Sequence, residues 1–127
     1  MRQIRGNGFM ARCLYEAEGR EISAHCELLF GSPRYLQCRL ERPLKPRQMA
    51  VIRVAPLHEP GGASLVPEPF SVSVRLKEYR VSGHQYECWF DIEAAKDFIH
   101  HPYYQFLKRL HPMEFDHPAQ DSILKAA

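Results

Sequence analysis

Several absences narrow the class of this 127-residue chain before any pattern is read. No apolar run approaches the roughly 20 residues needed to cross a bilayer, so membrane insertion is not expected. The opening MRQIRGNGFMARC has basic residues but no apolar stretch behind them, which argues against a secretory leader and for a cytoplasmic address. There is no GxSxG, no phosphate-cradling GxxxxGK[ST] and no HExxH, so an enzyme is not expected. The four cysteines, at 13, 26, 38 and 88, form no CxxC pair. Zinc ligands come at short spacings, and buried thiols in a reducing compartment fit this spread better. A net charge of +2 is too mild to imply nucleic acid, and the predicted strand faces show no repeated aromatics for stacking bases. An RNA-binding small barrel is therefore the least supported reading. Internal repeats are absent too.

What the chain does have is alternation. In FSVSVRLKEYRVSGHQYECWFDI, Phe70, Val72, Val74 and Leu76 alternate with polar residues. After Val81-Ser82-Gly83-His84, so do Tyr86, Cys88, Phe90 and Ile92. A period of two buries one set and leaves the other toward water, and Gly83 suits a tight connection, so this stretch predicts a β-hairpin. Upstream, Phe9–Glu16 and Arg20–Phe30 flank a Glu18-Gly19 turn, with Ile22, Ala24, Cys26, Leu28 and Phe30 expected on the inner phase. Tyr35–Arg42 is a third strand, with Leu36, Cys38 and Leu40 inward and Gln37, Arg39 and Glu41 outward. Gln48–Val54 is a fourth, and Ala55–Pro69, with four prolines, predicts a long surface loop. From Glu93 to Leu110 the spacing becomes helical, in two pieces, with Pro102 in the first turn of the second. The fold expected is mainly β: a small six-stranded antiparallel barrel over residues 9–110, flanked or plugged by a C-terminal helix. Residues 1–8 are expected to be a flexible basic arm and 111–127 a partly disordered tail.

The order of these segments resembles the PilZ domain, a six-stranded barrel known as a bacterial receptor for cyclic di-GMP. YLQCRLERPLKPRQMAVIRV is similar to that family's third strand, proline turn and fourth strand. FSVSVRLKEYRVSGHQYECWFDI is similar to its last hairpin, and EAAKDFIHHPYYQFLKRL to its terminal helix. The family binds its nucleotide through RxxxR before the first strand and Asp/Asn-x-Ser-x-x-Gly near the third. Here the first motif is one residue short, Arg2-Gln3-Ile4-Arg5. Of the second only Ser32 remains, with Phe30 in place of the acid and Tyr35 in place of the glycine. The resemblance is therefore to degenerate members, some of which serve as protein adaptors in type IV pilus or motility systems.

Two functions follow as expectations. The first is a non-catalytic regulatory adaptor that acts on an unidentified protein partner through Trp89, Tyr103 and Tyr104. The second is a cyclic di-GMP receptor in which Arg2, Arg5, Ser32 and Arg34 hold the nucleotide, since arginine pairs bidentately with phosphate and guanine edges. Each residue also has a plainer reading. Arg2 and Arg5 would sit on a solvated terminus, the helix would cover Trp89, and Tyr103 and Tyr104 would pack the helix onto the barrel, though adjacent residues cannot both face inward. His100, His101, His111 and His117 match no ligand spacing, so neither a metal nor a resident cofactor is expected.

Overall fold

A computed structural model describes residues 2–4, 9–57, 68–93 and 101–110, with the backbone alone at Arg2, Gln3 and Leu110. The described strands are β1 (Arg2–Gln3), β2 (Phe9–Ala17), β3 (Arg20–Gly31), β4 (Tyr35–Leu40), β5 (Met49–Pro56), β6 (Phe70–Ser82) and β7 (Gln85–Ile92), followed by helix α1 (Pro102–Leu110). Every pairing is antiparallel. The sheet runs β1-β3-β2-β5-β6-β7-β4, and β4 returns to pair with β3. Six strands therefore close into a barrel, as the alternation predicts, and closure removes most of the unpaired edge that so many short strands would leave. The expected first helical piece and the tail fall on residues 94–100 and 111–127, outside the described residues.

Two turns are set by backbone chirality. Glu18 (φ 53°) and Gly19 (φ 75°) both lie in the left-handed region, the type I′ geometry that matches strand twist. Gly83 (φ 63°) opens the two-residue turn Gly83-His84 between Ser82 and Gln85, in which a positive φ at the first position marks type II′. This hairpin is longer than its alternation suggests, because β6 continues to Ser82.

The core is filled from the inward phase of every barrel strand, with Cys13, Leu36, Cys38, Leu40, Ile52, Val54, Val74, Leu76, Cys88 and Phe90 all essentially free of solvent. Leu44, in the β4–β5 connection, is also buried. α1 closes the end of the barrel where β2 and β6 begin. Phe106 packs edge-on against Phe9 at 5.3 Å and tilted against Phe70 at 5.6 Å. The apolar spacing of Tyr103, Phe106 and Leu107 thus serves a plug, and all three are buried. β1 sits beside this plug. Arg2 and Gln3 pair with Gly31 and Phe30, and Ile4 donates its amide to Leu29 at 2.8 Å and is itself buried. Residues 2–4 are therefore not a free arm, because Ile4 finds an apolar seat.

All four cysteines are free, buried thiols. Desolvation, reinforced by neighbouring thiols, raises Cys13 and Cys38, and Cys88 is pushed up to about 12. A thiol held protonated and away from water is a poor nucleophile. Iodoacetamide at pH 8 is expected to leave all four unmodified in the folded protein and to label all four in denaturant. Labelling of any one without denaturant would show that the barrel opens locally.

Candidate functional site

Two β-bulges shape the outer wall. In β3 the register against β4 shifts between Leu28 and Phe30, so that Leu28 faces Cys38 and Phe30 faces Gln37. The extra residue, Leu29, moves Phe30 from the expected inner phase to the outside, where it is 37% exposed. In β6 the register against β7 shifts between Leu76 and Glu78, which brings Glu78 opposite Trp89. Phe30, Gln37, Trp89 and Glu78 now form one row across four strands, each in register with the next. Glu27, Arg39, Glu87 and Arg80 form the neighbouring row.

The second row is an ion ladder. Arg39 reaches Glu27 at 3.1 Å and Glu87 at 3.8 Å, while Arg80 holds Glu87 Oε2 with Nη2 at 2.8 Å and Nε at 3.0 Å. Gln37 adds a 3.4 Å bond from Nε2 to the same oxygen. The hydrogen bond from Arg80, more than any other contact, holds the Glu87 carboxyl below its ordinary value. Isolated surface pairs contribute little, but a carboxylate shared by two arginines fixes its neighbours in place. Gln37 points outward by register and is nevertheless only 7% exposed, lying between Phe30 and Trp89.

Together these side chains line a groove of about 420 Å³, bounded by Phe30, Gln37, Glu78, Tyr79, Arg80, Glu87 and Trp89. No residue of α1 belongs to it. Trp89 is thus half-buried among its own strand neighbours, and α1 does not cover it as the plainer reading had it. The helix docks on the barrel end instead. A wider depression of about 630 Å³ includes Leu14, Glu16, Met49 and Val51 and has no comparable aromatic and ionic pairing.

The other predicted residues fall elsewhere. Tyr103 is 1% exposed, and its hydroxyl donates to the Ser32 carbonyl at 2.8 Å and reaches that of Tyr35 at 3.3 Å. Its ring is spent inside the chain, which corrects its assignment to a partner. Tyr104 is half-buried against the core. His101 accepts the Tyr103 amide on Nδ1 at 3.1 Å, and burial lowers its pKa, so the neutral ring caps the start of α1. His100, His111 and His117 lie outside the described residues. Among the described residues no three His, Cys, Asp or Glu side chains gather as metal ligands.

Ser32 closes the β3–β4 turn. Its γ-oxygen accepts the amides of Tyr35 at 3.0 Å and Arg34 at 3.3 Å. Arg34 is exposed, and the β1 pairing sets the Arg2 backbone opposite Gly31, one residue from Ser32. Three of the four expected nucleotide residues therefore come to one end of the barrel, while Arg5 lies outside the described residues. Arg12 is remote from that end, bonded to Ser23 across β2 and β3 at 2.6 and 2.9 Å. No helix among the described residues is long and apolar enough to cross a membrane. Compared with protein-family models and with curated proteins, the sequence matches none.

Proposed function

We propose that this chain is a non-catalytic, PilZ-like regulatory adaptor that binds a protein partner through the outer face of β3, β4, β7 and β6. The observation that carries the reading is the aromatic row beside the ion ladder. Phe30 and Trp89 flank a covered glutamine, and two arginines are fixed next to them. Aromatic and arginine side chains held in place before binding are the residues that dominate protein interfaces. The bulges at Leu29 and Lys77 support the same reading, since bulges re-aim side chains beside functional surfaces. On this reading the pathway is bacterial signalling or motility, as the PilZ resemblance implies.

The second reading, a cyclic di-GMP receptor, draws on the meeting of Arg2, Ser32 and Arg34. Against it, the Ser32 γ-oxygen is engaged by two amides, and Tyr35 stands where the family has glycine. Lys77 also lies over the Tyr35 ring, at 5.3 Å from its centre.

Calorimetric titration with cyclic di-GMP separates the two. The adaptor reading expects no saturable heat from the folded protein at micromolar ligand. Saturable heat abolished by Arg34→Ala would replace it with the receptor reading. For the adaptor surface, Trp89→Ala is expected to weaken the partner complex by about 2 kcal/mol or more, roughly 30-fold. Phe30→Ser should weaken it too, with circular dichroism of both variants unchanged. Retention of the partner by both would move the interface off this face.

A further inference from the structure

β6 is longer than the strand beside it. β5 pairs with β6 from Val54↔Phe70 to Met49↔Arg75, and the last contact on that side is the Leu76 amide bonded to the Gln48 carbonyl at 2.9 Å. From Glu78 to Ser82, β6 pairs only with β7 among the described residues. Among the described residues this leaves β6 with an open side beyond the Gln48 contact; β3 has another from Arg20 to His25, where it pairs only with β2.

The two-residue turn determines which groups face outward. Ser82 and Gln85 flank it, and such a pair exchanges its amide and carbonyl bonds across the hairpin. By alternation Arg80 and Glu78 also bond toward β7, and Tyr79 and Val81 turn their amides and carbonyls to the open side. The same stretch carries two of the most exposed large apolar side chains among the described residues. Val81 is 66% exposed and Tyr79 44%, and Met49, also 44%, lies where β5 leaves β6. Unpaired backbone groups and apolar side chains on one short edge call for another strand.

We propose that this edge pairs with the same edge of a second copy, antiparallel about a two-fold axis through Arg80. In that register Tyr79 of each copy faces Val81 of the other. All the outward amides and carbonyls of the two residues are then bonded, and the exposed apolar side chains cover each other. Arg80 faces Arg80 at the axis. Like charges opposite one another are unfavourable in a sheet, but here each guanidinium is already bonded to its own Glu87. Each also comes within diagonal reach of Glu78 from the other copy. Glu78 has no ion pair among the described residues, so dimerisation supplies one and neutralises the arginine pair. A second copy is favoured over an unrelated strand because the edge carries both the acid and the base that this arrangement needs. The contact is short against the ~1,600 Å² of a standard interface, so it describes a concentration-dependent dimer. It does not rest on the adaptor reading, although Glu78, Tyr79 and Arg80 border both the edge and the groove.

Sedimentation equilibrium of the full chain tests it. The mass is expected to rise from 14.8 kDa toward twice that value with concentration. Val81→Pro removes an outward amide and the apolar side chain beside it without breaking a bond to β7, and Glu78→Arg gathers four arginines at the axis. Each is expected to shift the midpoint at least ~10-fold to higher concentration, with the circular dichroism of the barrel retained. Under oxidation Arg80→Cys is expected to give a disulfide-linked dimer, because directly opposed residues of a non-hydrogen-bonded pair lie about 4.5 Å apart at Cα, within disulfide range. Tyr79→Cys is expected to give much less. A monomer at every concentration would overturn the proposal. So would a dimer indifferent to Val81→Pro, or one linked by Tyr79→Cys in preference to Arg80→Cys.

Discussion

Phe106→Ala is expected to lower the unfolding free energy by about 3–5 kcal/mol, with the denaturant dependence of that free energy little changed. The ring is 1% exposed and sits between Phe9 and Phe70, the first residues of β2 and β6. A six-stranded barrel fills its middle with its own side chains, but its ends must be closed by something else. At this end the closure is one short helix. Nine residues are too few to be helical in isolation, so α1 exists because its apolar side docks. Removing the central ring therefore costs the transfer of the ring, the cavity left behind, and two aromatic contacts worth about 0.5–1.5 kcal/mol each. Against the 5–15 kcal/mol of an ordinary domain that is a large share. Urea denaturation followed by the single tryptophan would measure it. A loss below about 1 kcal/mol would mean that the helix is not what holds the barrel end shut.

The strands were legible because this barrel alternates cleanly. Phe70 to Leu76 and Tyr86 to Ile92 carry their faces in the sequence, and Glu18-Gly19 and Gly83-His84 announce their turns. The outer groove was legible only in part. Trp89 shows its outward phase in the sequence, but Phe30 reads as an inner residue and becomes its neighbour only through the bulge at Leu29. Neither Leu29 nor Lys77 is a glycine or proline, so neither bulge leaves a mark in composition. Both shifts reflect how neighbouring strands share register as the sheet curves shut, which is a property of pairs of strands. Tyr103 was ambiguous for a related reason. Its helical spacing says that it has a buried side, and only the barrel end shows that the buried side includes the hydroxyl. The docking of Ile4 was hidden by its surroundings, a lone apolar residue between arginines and glycines.

That docking leads to the second large effect, at Gly31. A Cβ built there would lie 2.8 Å from Ile4 Cδ1 and 3.0 Å from both Leu107 Cδ2 and the Tyr103 hydroxyl. Glycine is required for space, because Ile4 and two side chains of α1 converge on its bare face. Gly31→Ala is expected to cost about 1–3 kcal/mol by overpacking. The cost approaches the upper figure if the Tyr103 hydroxyl is pushed off the Ser32 carbonyl and left buried without a partner. The Ile4 Cδ1 atom is the far end of a flexible side chain, so it is the contact that can give. Ile4→Val deletes that atom and alone should cost about 0.5–1.5 kcal/mol. In the Gly31→Ala background its cost should fall to near zero or change sign, because it then relieves the closest clash. A double-mutant cycle by urea denaturation reads this coupling directly. Strictly additive losses would mean that Ile4 does not rest on Gly31. In that case Arg2 would not be held beside Ser32, and the end of the barrel would lose the arrangement on which the receptor reading depends.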